Sequence, residues 1–410
     1  MGPTLHTLCA LSLALAAGCA VEGESVGSIP LAPEIATPSG TVELNGSVVE
    51  RTPSIEERTP ESDRPFVLDL VAGASHACVR TVEGYVRCWG SNDYGQLGRA
   101  PSAAELLPAV AGHGALAQHV FAGPTQTAVL DKSQQFGHWG LFAPRNDDGV
   151  TPWSRHDTPG VAPLAGVAFG ERFALAWDDE GHLVGWGAPD GANFSTAFVL
   201  KPVVIHLGVP VAQVALWTRD GRGHGCLVVP VGFVGCWGDN DRGQLSASPV
   251  EYGILRVPTV SRVVSMSLGD RYSCALRGDA TAWCWGANDV GQLGDGTARD
   301  RGIPARVAIT SQVLALSTGA RHACALTRDG SVWCWGANDR GQLGASSVEL
   351  FSTTPLRVAG LPKSTSVAVG DDFSCARTED GRAWCWGNND RGQLGDGTTV
   401  MRAEPRPIRL

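Results

Sequence analysis

The sequence predicts an all-β fold, a β-propeller of seven blades. Seven Trp-Gly pairs recur along the chain at intervals of 47 to 51 residues, a period typical of propellers and solenoids. The composition agrees, because 52 glycines, 13 tryptophans and only 18% charged residues suit short strands joined by tight turns. The tryptophans that mark the repeats are Trp89, Trp139, Trp186, Trp237, Trp285, Trp335 and Trp386.

Each repeat contains a β-hairpin pattern. In one of the best copies, an apolar segment runs into the turn Arg328-Asp329-Gly330, and the chain returns as Ser331 to Trp335. Asp-Gly at this point favours a short hairpin loop with glycine in the left-handed region. The following Asn338 to Gly344 is rich in residues that form turns. Each repeat therefore predicts a small antiparallel sheet.

The repeat motif resembles a known family. Its elements are G-x-x-H-x-C-A-L, D-G-x-V-x-C-W-G-x-N and G-Q-L-G, and residues 319–344 and 370–395 show them best. This pattern resembles the regulator of chromosome condensation family of propellers over about residues 66–410. The resemblance implies seven four-stranded blades around a central channel. We place the repeats at about 66–107, 108–155, 156–201, 202–253, 254–303, 304–354 and 355–410.

Prolines mark a short strand between successive hairpins, as at Pro108, Pro304 and Pro355, and the chain ends on such a strand, Pro407 to Leu410. No hairpin follows this last strand, and no such strand precedes the first hairpin at Phe66. We therefore expect the N- and C-terminal strands to pair in one blade and close the ring.

The N-terminus predicts export. Residues 5–18 are apolar but too short to span a bilayer, which is typical of a signal peptide over residues 1–18. The run ends in Leu15-Ala16-Ala17-Gly18-Cys19, which resembles a bacterial lipobox and predicts lipidation of Cys19. An ordinary signal peptide and a misplaced start codon are the alternatives. Export would place the protein in the cell envelope, as an outer-membrane or cell-surface lipoprotein.

Residues 19–65 predict a disordered tether. Between residues 20 and 65 lie six prolines and nine carboxylates against three arginines, without apolar periodicity. Such a segment cannot bury enough apolar surface to fold alone. The membrane is thus expected to hold the propeller only through the lipid.

Ten of the twelve cysteines form five identical C-x9-C pairs. Across the predicted hairpin the two members lie opposite each other, and repeats two and three lack both, with Ala128 and His138 or Leu175 and Gly185 at those positions. We predict five disulfides, with reduced core cysteines and metal ligation as the alternatives. The pairs are Cys78 and Cys88, Cys226 and Cys236, Cys274 and Cys284, Cys324 and Cys334, and Cys375 and Cys385. His76, His224 and His322 each precede a cysteine by two residues, and we expect them to bond backbone groups inside their own blade.

The function predicted is binding rather than catalysis. No catalytic, cofactor or metal motif falls in a supporting structural context, so we expect no enzyme activity, no cofactor and no metal. The net charge of −9 disfavours a nucleic-acid partner. A monomeric scaffold that binds a protein of the envelope or the extracellular space is the preferred interpretation. The alternatives are the guanine nucleotide exchange that the family resemblance implies and glycan binding.

Repeats two and three, about residues 101–205, lose the cysteines and the Gly-Gln-Leu-Gly turn but keep the Trp-Gly pairs. This is either neutral decay or a specialised surface. In the second case Phe142, Trp153 and Phe194 are the candidate partner-binding residues.

Overall fold

A computed structural model of the protein describes residues 65–111, 116–133, 135–141, 150–156, 164–187, 203–205, 207–246, 254–345 and 349–410. In these ranges 28 strands form seven four-stranded antiparallel sheets. The all-β, seven-bladed propeller is thus confirmed.

The strands follow the chain in groups of four, one group to a blade. Blades one to three comprise β1 (Val67–Ala72), β2 (His76–Thr81), β3 (Val86–Asn92), β4 (Ser102–Val110), β5 (Ala117–Ala122), β6 (Gln126–Asp131), β7 (Phe136–Leu141), β8 (Val150–His156), β9 (Leu164–Phe169), β10 (Phe173–Asp178), β11 (Leu183–Gly187) and β12 (Val203–Ile205). Blades four to seven comprise β13 (Gln213–Arg219), β14 (Arg222–Val228), β15 (Val234–Gly238), β16 (Leu255–Arg256), β17 (Val263–Gly269), β18 (Tyr272–Arg277), β19 (Ala282–Gly286), β20 (Arg301–Arg306), β21 (Val313–Thr318), β22 (His322–Thr327), β23 (Val332–Ala337), β24 (Phe351–Arg357), β25 (Ser364–Val369), β26 (Phe373–Thr378), β27 (Ala383–Gly387) and β28 (Arg402–Pro407).

Backbone conformation explains why the Trp-Gly pair recurs. The glycine after each repeat tryptophan has a φ between 97° and 109° in all seven blades. A side chain would be strained there, and at Gly336 its Cβ would lie 2.5 Å from the carbonyl oxygen of Arg321. In blades one, two, five, six and seven, the pair marks the point where the register between the third and fourth strands shifts.

The predicted repeat boundaries fall inside or just before the fourth strand of a blade, as Pro108 does inside β4. Each proline-marked strand is the last strand of the preceding blade, as β4 is for blade one, and not the first strand of the next repeat. Proline is tolerated there because an outermost strand has one row of backbone groups without a strand partner. Each blade thus begins with an innermost strand that lines the channel.

The predicted pairing of the N- and C-terminal strands is wrong for the same reason. The C-terminal strand β28 pairs with β27 in its own blade, opposing Pro407 to Trp384, and β1 pairs with β2. The ring closes instead through packing and through single hydrogen bonds between the end blades, such as the one from the Val67 N–H to the Gly381 carbonyl at 2.9 Å. Ile408 of blade seven is buried in one apolar cluster with Val67 and Trp89 of blade one.

Several predictions concern residues outside the described ranges. The signal peptide, the lipidation of Cys19, the tether up to residue 64, and Phe142 and Phe194 all lie outside them. Trp153 lies in β8, for which only the backbone is described. Within the described ranges, we find no helix with the length and apolar character needed to cross a membrane.

Candidate functional site

The five cysteine pairs lie at the contacts between blades. All five are disulfides in the structure, with Cα–Cα distances of 4.1 Å. This separation is typical of directly opposed residues at a position without backbone hydrogen bonds between them, which explains the constant spacing of the pairs. Each disulfide is buried against the repeat tryptophan of the next blade, as Cys324 and Cys334 are against Trp386. Ala128 and His138 occupy the same register in blade two, and Leu175 and Gly185 in blade three.

A hydrogen-bonded bridge accompanies these contacts. His76 Nε2 lies 2.9 Å from the Thr127 hydroxyl of blade two, and this hydroxyl donates to the Gln96 carbonyl at 2.8 Å. Trp139 Nε1 donates to the same carbonyl at 2.7 Å. Since the hydroxyl has a single proton, which it gives to Gln96, the histidine must donate through Nε2. The side chains of His224 and His322 reach Ser273 and Ser374 of the next blade in the same way.

The predicted role of these histidines was therefore wrong. They join neighbouring blades through side chains rather than serving backbone groups within one blade. Burial lowers the pKa of His76 to about 4 and those of His224 and His322 to about 3, so all three rings are neutral at physiological pH. Among the described residues, no group of three or more His, Cys, Asp or Glu side chains could hold a metal ion.

At one end of the channel the inner strands turn back in seven loops, which we call the mouth loops. Six of them begin with a glycine: Gly73, Gly123, Gly170, Gly269, Gly319 and Gly370. A Cβ at Gly319 would overlap the carbonyl oxygen of Gly370 in the next blade, which explains the requirement for glycine. Backbone hydrogen bonds link successive loops, from Ala320 to Asp371 at 3.1 Å and from Asp371 to Ala74 at 3.0 Å. The channel behind the mouth holds a cavity of about 260 Å³.

The mouth loop of blade four is different. Trp217 stands where the other blades have glycine, and β13 and β14 continue beyond it as a projecting hairpin. Ten residues separate the paired Ala215 and Cys226, whereas six separate the equivalent Val71 and Cys78 of blade one. The hairpin turns at Asp220 and Gly221, with φ of 51° and 74°. Two consecutive positive φ angles are typical of the type I′ turn of two-residue hairpins.

The projecting hairpin lies across the mouth. Arg219 forms an ion pair with Asp371 of blade seven, on the other side of the channel. On blade three, the Glu171 backbone N–H donates to the Thr218 hydroxyl, and the Glu171 carboxylate accepts from the Asp220 N–H at 2.8 Å. The hairpin is thus held by blades three and seven, and it covers one end of the channel.

Comparison with known proteins identifies the repeat. Two family models, both described as the regulator of chromosome condensation (RCC1) repeat, match the sequence. One matches residues 67–96, 263–292, 313–342 and 365–393, and the other matches 279–326, 329–377 and 380–410. The matched ranges lie in blade one and in blades five to seven. This propeller carries RCC1 repeats in those four blades.

Relatives cover this RCC1-repeat propeller to different extents. The ultraviolet-B receptor UVR8 of Arabidopsis thaliana is 28% identical over 354 residues, which are 84% of this chain and 70% of UVR8. The human E3 ubiquitin-protein ligase HERC2 is 31% identical over 210 residues, 48% of this chain, but the match spans only 4% of HERC2. The crystal structure of human WBSCR16 superposes with a TM-score of 0.67 at 22% identity, covering 76% of this chain and 87% of that one. This last similarity shows the fold alone.

Sequence reasoning missed the most irregular part of this RCC1-repeat propeller. We placed the irregularity in repeats two and three, but the projecting hairpin is in blade four. One signal was available in the sequence. In the other repeats, a glycine and two further residues precede the position equivalent to His224. In blade four, Arg219-Asp220-Gly221-Arg222 stands before His224 instead. The even spacing of the tryptophans concealed this insertion.

Proposed function

We propose that this RCC1-repeat propeller is a non-enzymatic, exported scaffold that binds a protein partner on its mouth face. The observation that carries the proposal is the blade-four hairpin. It covers the channel from this side and presents its charged tip, Arg219 to Arg222, to solvent. A projecting loop on a rigid framework is a common way to present a binding surface.

The interior groups that could perform chemistry have structural roles. The three buried histidines are neutral and bonded to the next blade. The ten propeller cysteines are joined as disulfides. This supports recognition at the surface rather than catalysis in the channel.

Five disulfides also indicate an oxidising compartment, since such bonds persist mainly outside the cytosol. This agrees with export by the predicted signal peptide. We further propose that Cys19 carries the lipid that holds the propeller at the envelope, with residues 20–65 as its tether. Phe142, Trp153 and Phe194 remain proposed partner residues.

Site-specific photo-crosslinking in the producing cell tests the proposal. A photoreactive residue replaces Asp220 at the hairpin tip or, as the control, Val231, which is 71% exposed in the turn at the opposite end of blade four. We expect position 220 to crosslink a discrete protein, to be competed by excess unlabelled wild-type protein, and position 231 not to do so. Absence of a competed crosslink at position 220 would contradict binding at the mouth face.

A further inference from the structure

The blade-four hairpin creates a pocket beside blade five. Trp217 replaces the mouth glycine, and no backbone hydrogen bond between the two mouth loops joins blade four to blade five in the described part of the chain. Between them lies a cavity of about 160 Å³, lined by Trp217, Arg222, Asp239, Asp270 and Arg271 among others. The pocket is thus a direct consequence of the insertion that distinguishes this blade.

The hairpin places two arginines directly opposite each other. Arg219 and Arg222 are cross-strand partners next to the turn, an arrangement that destabilises a hairpin by charge repulsion. Asp371 compensates Arg219. Arg222 is exposed and forms no ion pair with any residue that the structure describes. A like-charged cross-strand pair that destabilises its own hairpin is typical of a functional site rather than of a structural one.

The second cation of the pocket is only loosely held. Arg271 lies 3.4 Å from Asp241 and 3.8 Å from Asp270, and both distances exceed the roughly 2.7 to 2.9 Å of a charge-assisted hydrogen bond. The side chains of Asp241 and Asp270 are both partly exposed, so water competes with Arg271 for the two carboxylates. The Arg271 guanidinium therefore keeps donors that can bind an incoming group.

The acidic groups of the pocket already contact other groups of the protein. One oxygen of Asp239 accepts the Gly223 N–H at 2.9 Å. Burial raises the pKa of Asp270, although the neighbouring Arg271 and Arg219 oppose this shift. Two neutral polar side chains also line the pocket: His224 is bonded to Ser273, and Gln244 donates to Asp241 at 3.0 Å. The groups available to a ligand are thus the two guanidinium groups and the apolar ring of Trp217.

We propose that this pocket binds a carboxylate side chain from an acidic segment of the protein partner. Arg222 and Arg271 would donate to the carboxylate, and the Trp217 ring would contact its methylene groups. Guanidinium groups suit this role because their donors match the two oxygens of a carboxylate. The inference rests on the proposed function and specifies the chemistry of the partner.

The charges around the pocket favour an acidic peptide over a nucleic acid. Asp220, Asp239 and Asp270 border the two arginines, so an extended polyanion would meet repulsion along most of its length. A single carboxylate can lie between the arginines without approaching all three acids. The net charge of the whole chain, −9, has the same consequence.

Fluorescence anisotropy with a fluorescein-labelled peptide that carries one glutamate among glycines and serines, the monoglutamate peptide, tests the site on purified wild-type protein. We expect saturable binding that weakens as salt is added. Arg222→Gln should reduce the affinity roughly tenfold or more, since it removes a charge-assisted hydrogen bond. Arg222→Lys should recover only part of the affinity because a lysine lacks the planar fork. The matched control is Arg328→Gln, an exposed arginine in the turn at the opposite face, which should leave the affinity unchanged.

Three results would overturn the proposal: no binding of the monoglutamate peptide to the wild type, equal affinity in Arg222→Gln, or equally tight binding of a labelled oligothymidylate. The melting temperature of Arg222→Gln separates these results from misfolding. It should equal or exceed that of the wild type, because the substitution removes the repulsion from Arg219. Failure here with a competed crosslink at position 220 would leave mouth-face binding intact and reject only the acidic partner. Failure of the crosslink would reject the proposed function itself.

Discussion

Truncation of Ile408 to alanine tests how the ring is closed. Ile408 is 7% exposed and packs with Val67 and Trp89 in the apolar cluster shared by the last and first blades. Its backbone N–H donates to Ala383 at 3.0 Å, and this bond survives the substitution. The experiment therefore removes packing between the two end blades and leaves the pairing of β28 in place.

The expected destabilisation follows from the buried side chain. Replacing a buried isoleucine by alanine costs about 2 to 5 kcal/mol, and we take a value of about 3 kcal/mol for Ile408 because its side chain is slightly exposed. Unfolding entropy is about 2.1 cal/mol/K per residue, or about 0.7 kcal/mol/K for a propeller of roughly 345 residues. The melting temperature should therefore fall by about 4 °C.

Calorimetry and urea denaturation of Ile408→Ala measure this loss. The control is Val400→Ala, which is 55% exposed and lies just before β28, and it should change stability by no more than about 0.5 kcal/mol. Equal stability of the two variants would refute closure by the shared apolar cluster.

Three further predictions concern the cysteines, the histidines and the N-terminus. Thiol titration under denaturing, non-reducing conditions should find almost no free thiol among the propeller cysteines. Reduction should destabilise the fold by up to about 2.8 kcal/mol for each loop of about eleven residues, and ten reactive thiols would contradict the disulfides. The folded pKa values of His76, His224 and His322 lie below the unfolded value of 6.5. Stability should thus be complete above pH 6.5 and decline as the pH falls towards 4 and then 3, by up to about 1.4 kcal/mol per pH unit for each histidine. Denaturation at several pH values should show a shallower decline of stability with falling pH for His76→Gln than for the wild type. Glutamine fits this position, since Gln126 occupies the same register in blade two. An unchanged pH dependence would contradict the buried, neutral state of His76. Cys19→Ser should abolish incorporation of a tagged fatty acid and release soluble protein, whereas persistent label would reject the lipidation site.

The candidate site shows where sequence reasoning stopped. The hairpin insertion in blade four could be recognised only as Asp-Gly turn chemistry before His224. That Arg219 reaches Asp371, 152 positions along the chain, depends on which blades face each other across the channel. The pocket at Arg222 and Arg271 likewise lies between the mouth loops of two blades, and its lining includes the Trp217 that replaces the mouth glycine.

By itself, the sequence determined the hairpin pattern of one blade and the number of blades. The Trp-Gly period, the turn at Arg328 to Gly330 and the constant spacing of the cysteine pairs are local patterns, because the alternation of a strand and the register of a tight hairpin are settled within about ten residues. The tertiary structure alone decided what lies between blades: the closure through Ile408, the bridge from His76 to Thr127 and the hairpin across the mouth. These contacts join residues of different repeats, and only the closed ring brings those repeats together.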